Sequence, residues 1–81
     1  MDVNVRLFAG LHQMVGKREI TLDVPDGATV RDLRERLGSV YPVTEAFLPT
    51  LVCAVGEEYV PSDYVLREGD MVALIPPVSG G

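Results

Sequence analysis

The 81-residue sequence is poor in the residues that build disulfide scaffolds and metal centres. It has a single cysteine, Cys53, which excludes an intrachain disulfide and a cysteine-rich zinc site. Cys53 lies in an apolar run, so we predict a buried small hydrophobe. The only histidine, His12, has no second ligand nearby in sequence and is predicted to lie on the surface of a turn. No metal site is expected.

Basic residues and long apolar runs are also scarce. Seven Lys and Arg against 12 Asp and Glu give a net charge of −5, which disfavours nucleic acid and anionic membranes as partners. An acidic surface instead suits a basic protein partner. No stretch approaches the roughly 20 apolar residues of a membrane span, and the strand pattern begins directly after Met1-Asp2, without a basic and apolar leader. A soluble cytoplasmic protein is the expectation.

Catalytic motifs are missing as well. The chain has no G-x-x-x-x-G-K-[ST] loop that could hold ATP phosphates. It shows no nucleophile, base and orienting group at recognisable positions, so it is not expected to be an enzyme. Glu57-Glu58 and Glu68-Gly69-Asp70 are typical of solvated turns, where some carboxylates could pair with basic groups of a partner.

What the chain does contain is a clear alternation of apolar residues near its N-terminus. Two alternating runs predict a pair of antiparallel strands. Their inward positions are Val3, Val5, Leu7, Ile20, Leu22 and Val24. Residues 10–17 between the runs are interpreted as a turn that ends at Gly16, and Pro25-Asp26-Gly27 closes the second strand.

A helix is predicted next. Thr29 is a good N-cap, and Asp32 three residues later gives an approximate capping box. Val30, Leu33 and Leu37 follow at helical spacing, and Gly38 is predicted to end the helix. The less regular segment 41–49 is expected to hold a short helical turn around residues 44–48.

The second half of the chain favours strands. Residues 51–55 are continuously apolar, which predicts a central strand covered on both faces. A short strand at Tyr59-Val60 and a last strand at 71–75 follow. The order ββαβ…β predicts an α+β protein with a β-grasp sheet over residues 1–75, whose last strand runs parallel to the first.

The last six residues predict an extended tail. They are Pro76, Pro77, Val78, Ser79, Gly80 and Gly81. The two prolines favour an extended path, and the closing glycines could pass through a channel too narrow for other residues. Fully stretched, such a tail reaches roughly 20 Å. It suits delivery of the Gly81 carboxylate into the active site of another protein.

Strand parity predicts a docking surface beside the root of this tail. Phe8 should lie next to Arg6 on the outer face of the first strand, and three residues of the last strand should face the same way. The predicted patch consists of Phe8, Met71, Ala73 and Ile75, with Tyr59 joining it. Contiguous exposed apolar area commonly marks a protein interface.

Several segments resemble one known family along nearly the whole chain. They are Val5 to Ala9, Pro25-Asp26-Gly27-Ala28-Thr29-Val30, Glu68 to Ile75 and the Pro-Pro-Val-Ser-Gly-Gly end. The chain resembles the small, sulfur-carrying subunits of molybdopterin synthase, the MoaD family within the ubiquitin-like MoaD/ThiS superfamily. It departs from the family at Gly56-Glu57, where an Asn turn is usual.

The resemblance implies a non-catalytic subunit whose C-terminus is the reagent. An activating enzyme uses ATP to adenylate Gly81, and sulfur transfer then gives a thiocarboxylate. The tail, with Gly80 and Gly81 at its tip, enters the large catalytic subunit of a cytoplasmic, heterotetrameric synthase. There the sulfur goes to precursor Z, cyclic pyranopterin monophosphate, and forms the dithiolene of the molybdenum cofactor. No cofactor is expected to be bound by the chain itself.

Two other functions share the same tail chemistry. One is the sulfur carrier of the thiamine pathway, which the Pro-Pro-Val-Ser lead-in disfavours. The other is a ubiquitin-like modifier that is joined through Gly81 to lysines of target proteins. Adenylation is common to all three, so ATP dependence does not separate them.

Overall fold

The computed structural model describes residues 1–76. Within these residues the chain forms five strands, two α-helices and one 3-10 helix. They are β1 (Asp2–Leu7), α1 (Ala9–Val15), β2 (Glu19–Asp23), α2 (Val30–Val40), the 3-10 helix (Pro42–Thr50), β3 (Val52–Val55), β4 (Glu58–Val60) and β5 (Met71–Ile75). The strands form one mixed sheet in the order β2-β1-β5-β3-β4. The predicted α+β β-grasp architecture is confirmed.

The central pairing of the sheet is the parallel one between β1 and β5. Val5 lies opposite Val72, and Leu7 lies opposite Leu74. β2 pairs antiparallel with β1, and β3 pairs antiparallel with β5. The last strand therefore runs beside the first and parallel to it, as predicted.

Alternation along the strands divides the sheet into a core face and an outer face. Side chains on the core face pack with α2, whose Val30, Leu33 and Leu37 are fully buried. Val3, Val5, Val72 and Leu74 are likewise at 0% exposure. The inward positions predicted from the sequence are thus the real core.

Helix α2 begins at the predicted cap. The Thr29 side chain accepts a hydrogen bond from the backbone N–H of Asp32, and the Asp32 carboxylate accepts one from the Thr29 N–H at 2.9 Å. These reciprocal bonds satisfy N–H groups that the first turn of a helix leaves without partners. The prediction that Gly38 ends the helix was wrong, because α2 continues to Val40.

Gly38 has a different role from the one predicted. An added Cβ would lie 2.7 Å from Leu48 Cδ1, so the absence of a side chain lets the 3-10 helix approach α2. That 3-10 helix covers Pro42–Thr50 and is longer than the expected turn around residues 44–48.

The segment between β1 and β2 was interpreted as a turn, and this was wrong. It forms the helix α1, which buries only Leu11 and has no side-chain N-cap bond. Gly16 does end the segment, in the left-handed conformation with φ 81°. The two strands are antiparallel neighbours, but a helix rather than a tight turn connects them.

The prediction for β3 also needs correction. The strand begins at Val52, and it lies between β5 and β4 rather than at the centre of the sheet. Cys53 faces the core, whereas Val52 is 43% exposed on the opposite face. The apolar run therefore reflects an outer face that no other element of residues 1–76 covers, not a strand buried on both sides.

Candidate functional site

The outer face of the sheet brings residues from four strands into one row. Arg6 lies opposite Ala73 on β5, and Ala73 lies opposite Ala54 on β3. Ala54 in turn pairs with Tyr59 on the edge strand β4. Because direct cross-strand partners share a face, these side chains form a continuous line across the sheet.

The predicted patch residues gather around this row. Phe8, Met71 and Ala73 line one shallow concavity together with Arg6 and Ala54. Phe8 is 40% exposed, a high value for so large an apolar side chain. We call this surface, made of Arg6, Phe8, Val52, Ala54, Tyr59, Met71, Ala73 and Ile75, the outer patch.

The other two predicted patch residues lie further from the concavity. Tyr59 is 77% exposed on the edge strand, so it extends the outer patch sideways. Ile75 is half-buried at the end of β5 and pairs with Val52. Ile75 thus connects the outer patch to the root of the tail.

Only the first residue of the predicted tail lies within the structural description. Pro76 directly follows β5 and is buried. Pro77, Val78, Ser79, Gly80 and Gly81, on which the prediction of a reactive C-terminus depends, lie outside the described residues. β5 nevertheless fixes where the tail begins, at the end of the sheet where β1 leads into Phe8.

Val52 and Ala54 belong to this surface but were not predicted to lie there. The apolar run at residues 51–55 predicted a strand covered on both faces, which left none of its residues for a partner. The alternation of side chains along a strand could have placed them there: because Cys53 points inward, both of its neighbours must point outward. Ala54 is 8% exposed, and small outward residues of this kind form the floor of the concavity.

Charged groups lie at the margins of the outer patch. Arg6 forms an ion pair with Glu19 at 3.8 Å, and both side chains are about half exposed. Gly56 and Glu57, from the turn between β3 and β4, line the other side of the concavity. The patch thus has an apolar floor with a cation on one side and a carboxylate on the other.

Cys53 and His12 are away from this surface. Burial raises the pKa of the Cys53 thiol, and the nearby Arg34 charge offsets part of the rise. A buried thiol held in its neutral form is a poor nucleophile, in line with the predicted core role. His12 lies on α1, not on a turn. Among residues 1–76 no group of His, Cys, Asp and Glu is arranged to hold a metal ion, and no helix there could cross a membrane.

The fold and the outer patch define a β-grasp protein of the ubiquitin-like class. Residues 5–81 match the model of the ThiS family. The chain belongs to that family.

Curated relatives match along the full chain. The molybdopterin synthase sulfur carrier subunit of Chlamydomonas reinhardtii is 39% identical, with 100% of each chain covered. The corresponding subunit of Arabidopsis thaliana is 32% identical over 100% of this chain and 84% of the relative.

Solved structures give the same fold. SAMP1 of Haloferax volcanii, a small archaeal modifier protein, has a TM-score of 0.89 at 29% identity, with 100% of both chains covered. A Pyrococcus furiosus protein described as a molybdopterin converting factor, subunit 1, has a TM-score of 0.85 at 31% identity. It covers 96% of this chain and is itself 99% covered.

Proposed function

We propose that this chain is the sulfur carrier subunit of molybdopterin synthase. One observation carries the proposal: full-length relatives of that name match at 32–39% identity, and the family match extends to Gly81. A carrier needs a rigid body, a docking surface and a terminal carboxylate that another protein can reach. The β-grasp body and the outer patch supply the first two, and the sequence after Pro76 supplies the third.

The chemistry of the proposed carrier begins at the Gly81 carboxylate. A carboxylate is a poor electrophile because its charge is shared by two oxygens. In the first proposed reaction, a separate activating enzyme joins the Gly81 carboxylate to AMP from ATP and releases pyrophosphate. A sulfur nucleophile at the oxidation level of sulfide then displaces AMP, and a thiocarboxylate results. Glycine at this position leaves the carbonyl unhindered, because it has no Cβ.

The loaded carrier would then act in a complex with the large, catalytic synthase subunit. The anionic sulfur of the thiocarboxylate is a good nucleophile for precursor Z, and two loading cycles supply the two sulfurs of the dithiolene. The chain itself would stay non-catalytic. The proposed location is the cytoplasm, and the proposed contact surface is the outer patch together with Pro76, Pro77, Val78 and Ser79.

A second function is favoured by one specific observation. The similarity to SAMP1 extends over the whole chain, and that protein is named as a modifier. A modifier would use the same activated Gly81, but an amine would displace AMP and form an isopeptide bond. The two functions therefore differ in the product found in cells, not in the fold.

The intact mass of the chain isolated from its own cells separates these functions. Replacement of one carboxylate oxygen by sulfur adds about 16 Da, since the two elements differ by that mass, and this product is expected for the carrier. Conjugates of higher mass, with Gly81 joined to lysine, would support the modifier instead. Only unmodified chain, in cells that are making the molybdenum cofactor, would contradict the carrier proposal.

A further inference from the structure

The turn between β3 and β4 has an unusual backbone. Gly56 has φ 57° and Glu57 has φ 72°, so both central residues of this two-residue connection are left-handed. Turns of this kind favour Asn-Gly or Gly-Gly, since left-handed backbone is unfavourable for most side chains. Glu57 has a long side chain and no glycine-like freedom. The local geometry thus disfavours glutamate at this position.

The position of Glu57 places this residue at the outer patch. Glu57 and Gly56 line the same concavity as Phe8, Met71 and Ala73. Its neighbour Glu58 is different: it begins β4, one residue before Tyr59, and successive strand residues point to opposite faces. Tyr59 shares the outer face with Ala54, so Glu58 is directed to the other face.

The Glu57 carboxylate has no cation of its own within residues 1–76. Arg6, the cation that lines the same concavity, is paired with Glu19 at 3.8 Å. The remaining ion pairs in this part of the chain join the Met1 ammonium to Asp23 and Asp26. An exposed carboxylate beside an apolar floor is therefore left to a group from outside the chain.

We infer that Glu57 is a specificity-determining residue of the outer patch, where its carboxylate receives an Arg or Lys side chain of the docked partner. The apolar floor takes an apolar side chain, and a partner cation at Glu57, on the side of the floor away from Arg6, sets the orientation. Like-charge contact would oppose the reversed orientation. This inference rests on the proposed function, because it assigns the outer patch to the large synthase subunit.

The test compares binding of the full 81-residue chain and of two matched variants to the large synthase subunit of the same organism. Glu57→Gln removes the charge and keeps the side-chain shape, and Glu58→Gln does the same one residue later on the opposite face. At low salt, Glu57→Gln should bind about 2- to 5-fold more weakly, the size of an exposed ion pair, mainly through slower association. Glu58→Gln should bind like the unmodified chain.

Salt gives an independent readout of the same contact. The difference in affinity between Glu57→Gln and the unmodified chain should become smaller as the salt concentration rises from about 0.02 M to about 0.5 M, because screening weakens exposed ion pairs. Equal binding of Glu57→Gln and the unmodified chain, or an equal loss in Glu58→Gln, would overturn the inference and leave the proposed function standing. Failure of the unmodified chain to bind would overturn both.

Discussion

The backbone of Glu57 gives a stability prediction that needs no partner. Asn tolerates left-handed backbone better than Glu does, because its short polar side chain can hydrogen-bond locally. Glu57→Asn should therefore raise the free energy of unfolding by about 0.5–1 kcal/mol, a part of the penalty that left-handed backbone imposes on most L-residues. Urea unfolding measures the change. Glu58→Asn, in a strand with ordinary backbone, is the control and should give no increase; equal increases would contradict the explanation.

The buried thiol of Cys53 gives a prediction about pH. Burial raises the pKa of the thiol, with Arg34 offsetting part of the rise, so the folded chain keeps its proton to a higher pH than the unfolded chain. The resulting stability is complete below the unfolded pKa and is lost as pH rises through the folded pKa. We expect the unmodified chain to lose stability relative to Cys53→Ala above about pH 8.5, where unfolded thiols ionise.

The measurement is urea unfolding of both proteins across the alkaline range. The difference between the two free energies isolates the thiol, since every other side chain is the same in both proteins. A difference that stays constant with pH would show that the folded state leaves the thiol pKa unchanged.

At the scale of elements, β1, β2 and α2 could be predicted because each has a strong periodic signal. β1 and β2 alternate strictly, and α2 has both a capping box and buried residues at helical spacing. Helix α1 lacks these signals. Only Leu11 is buried, Phe8 provides no side-chain cap, and glycines lie at positions 10 and 16, so the local sequence resembles a turn.

The end of α2 shows how tertiary packing overrides a local signal. A glycine near the end of a periodic run normally marks a helix stop. Here Gly38 is inside the helix, and the close approach of Leu48 explains why the position lacks a side chain. Contact between α2 and the 3-10 helix cannot be seen in the sequence of either element alone.

Packing between α2 and the 3-10 helix predicts the effect of a larger residue at Gly38. Gly38→Val should lower the free energy of unfolding by about 1–3 kcal/mol, because the added carbons must displace Leu48. Gly10→Val, in α1, is the matched control. An added Cβ meets nothing within 4 Å there, so this change should be close to neutral. Thermal unfolding of both variants measures the two changes. Similar losses would contradict the packing explanation, since Val has a higher helix propensity than Gly and propensity alone would not destabilise either variant.

At the scale of the whole molecule, the alternation of side chains along the strands correctly predicted where most residues of the outer patch lie, but it did not give all of them. Phe8, Met71 and Ala73 lie together, whereas Val52 and Ala54 were missed because the apolar run at residues 51–55 was interpreted as covered on both faces. That the patch binds a partner stays a prediction, as does the reactivity of Gly81.

The outer patch predicts a separation between binding and stability. Phe8→Asp should weaken binding to the large synthase subunit by roughly 2 kcal/mol or more, as expected for an aromatic anchor. Stability should change little, because Phe8 is 40% exposed. Val43→Asp is the control: Val43 is 57% exposed on the 3-10 helix, away from the sheet. A Phe8→Asp protein that binds normally but melts early would show that Phe8 belongs to the core.

The most direct test of the carrier function is dithiolene formation from precursor Z by a reconstituted system. It contains the large subunit, the activating enzyme, ATP and a sulfur source, with either the full chain or a chain lacking Gly80 and Gly81. The shortened chain should keep the fold and the outer patch and yet give no dithiolene, because its terminal carboxylate is then on Ser79, two residues short of the natural end and beside a side chain. Undiminished dithiolene formation by the shortened chain would contradict the account.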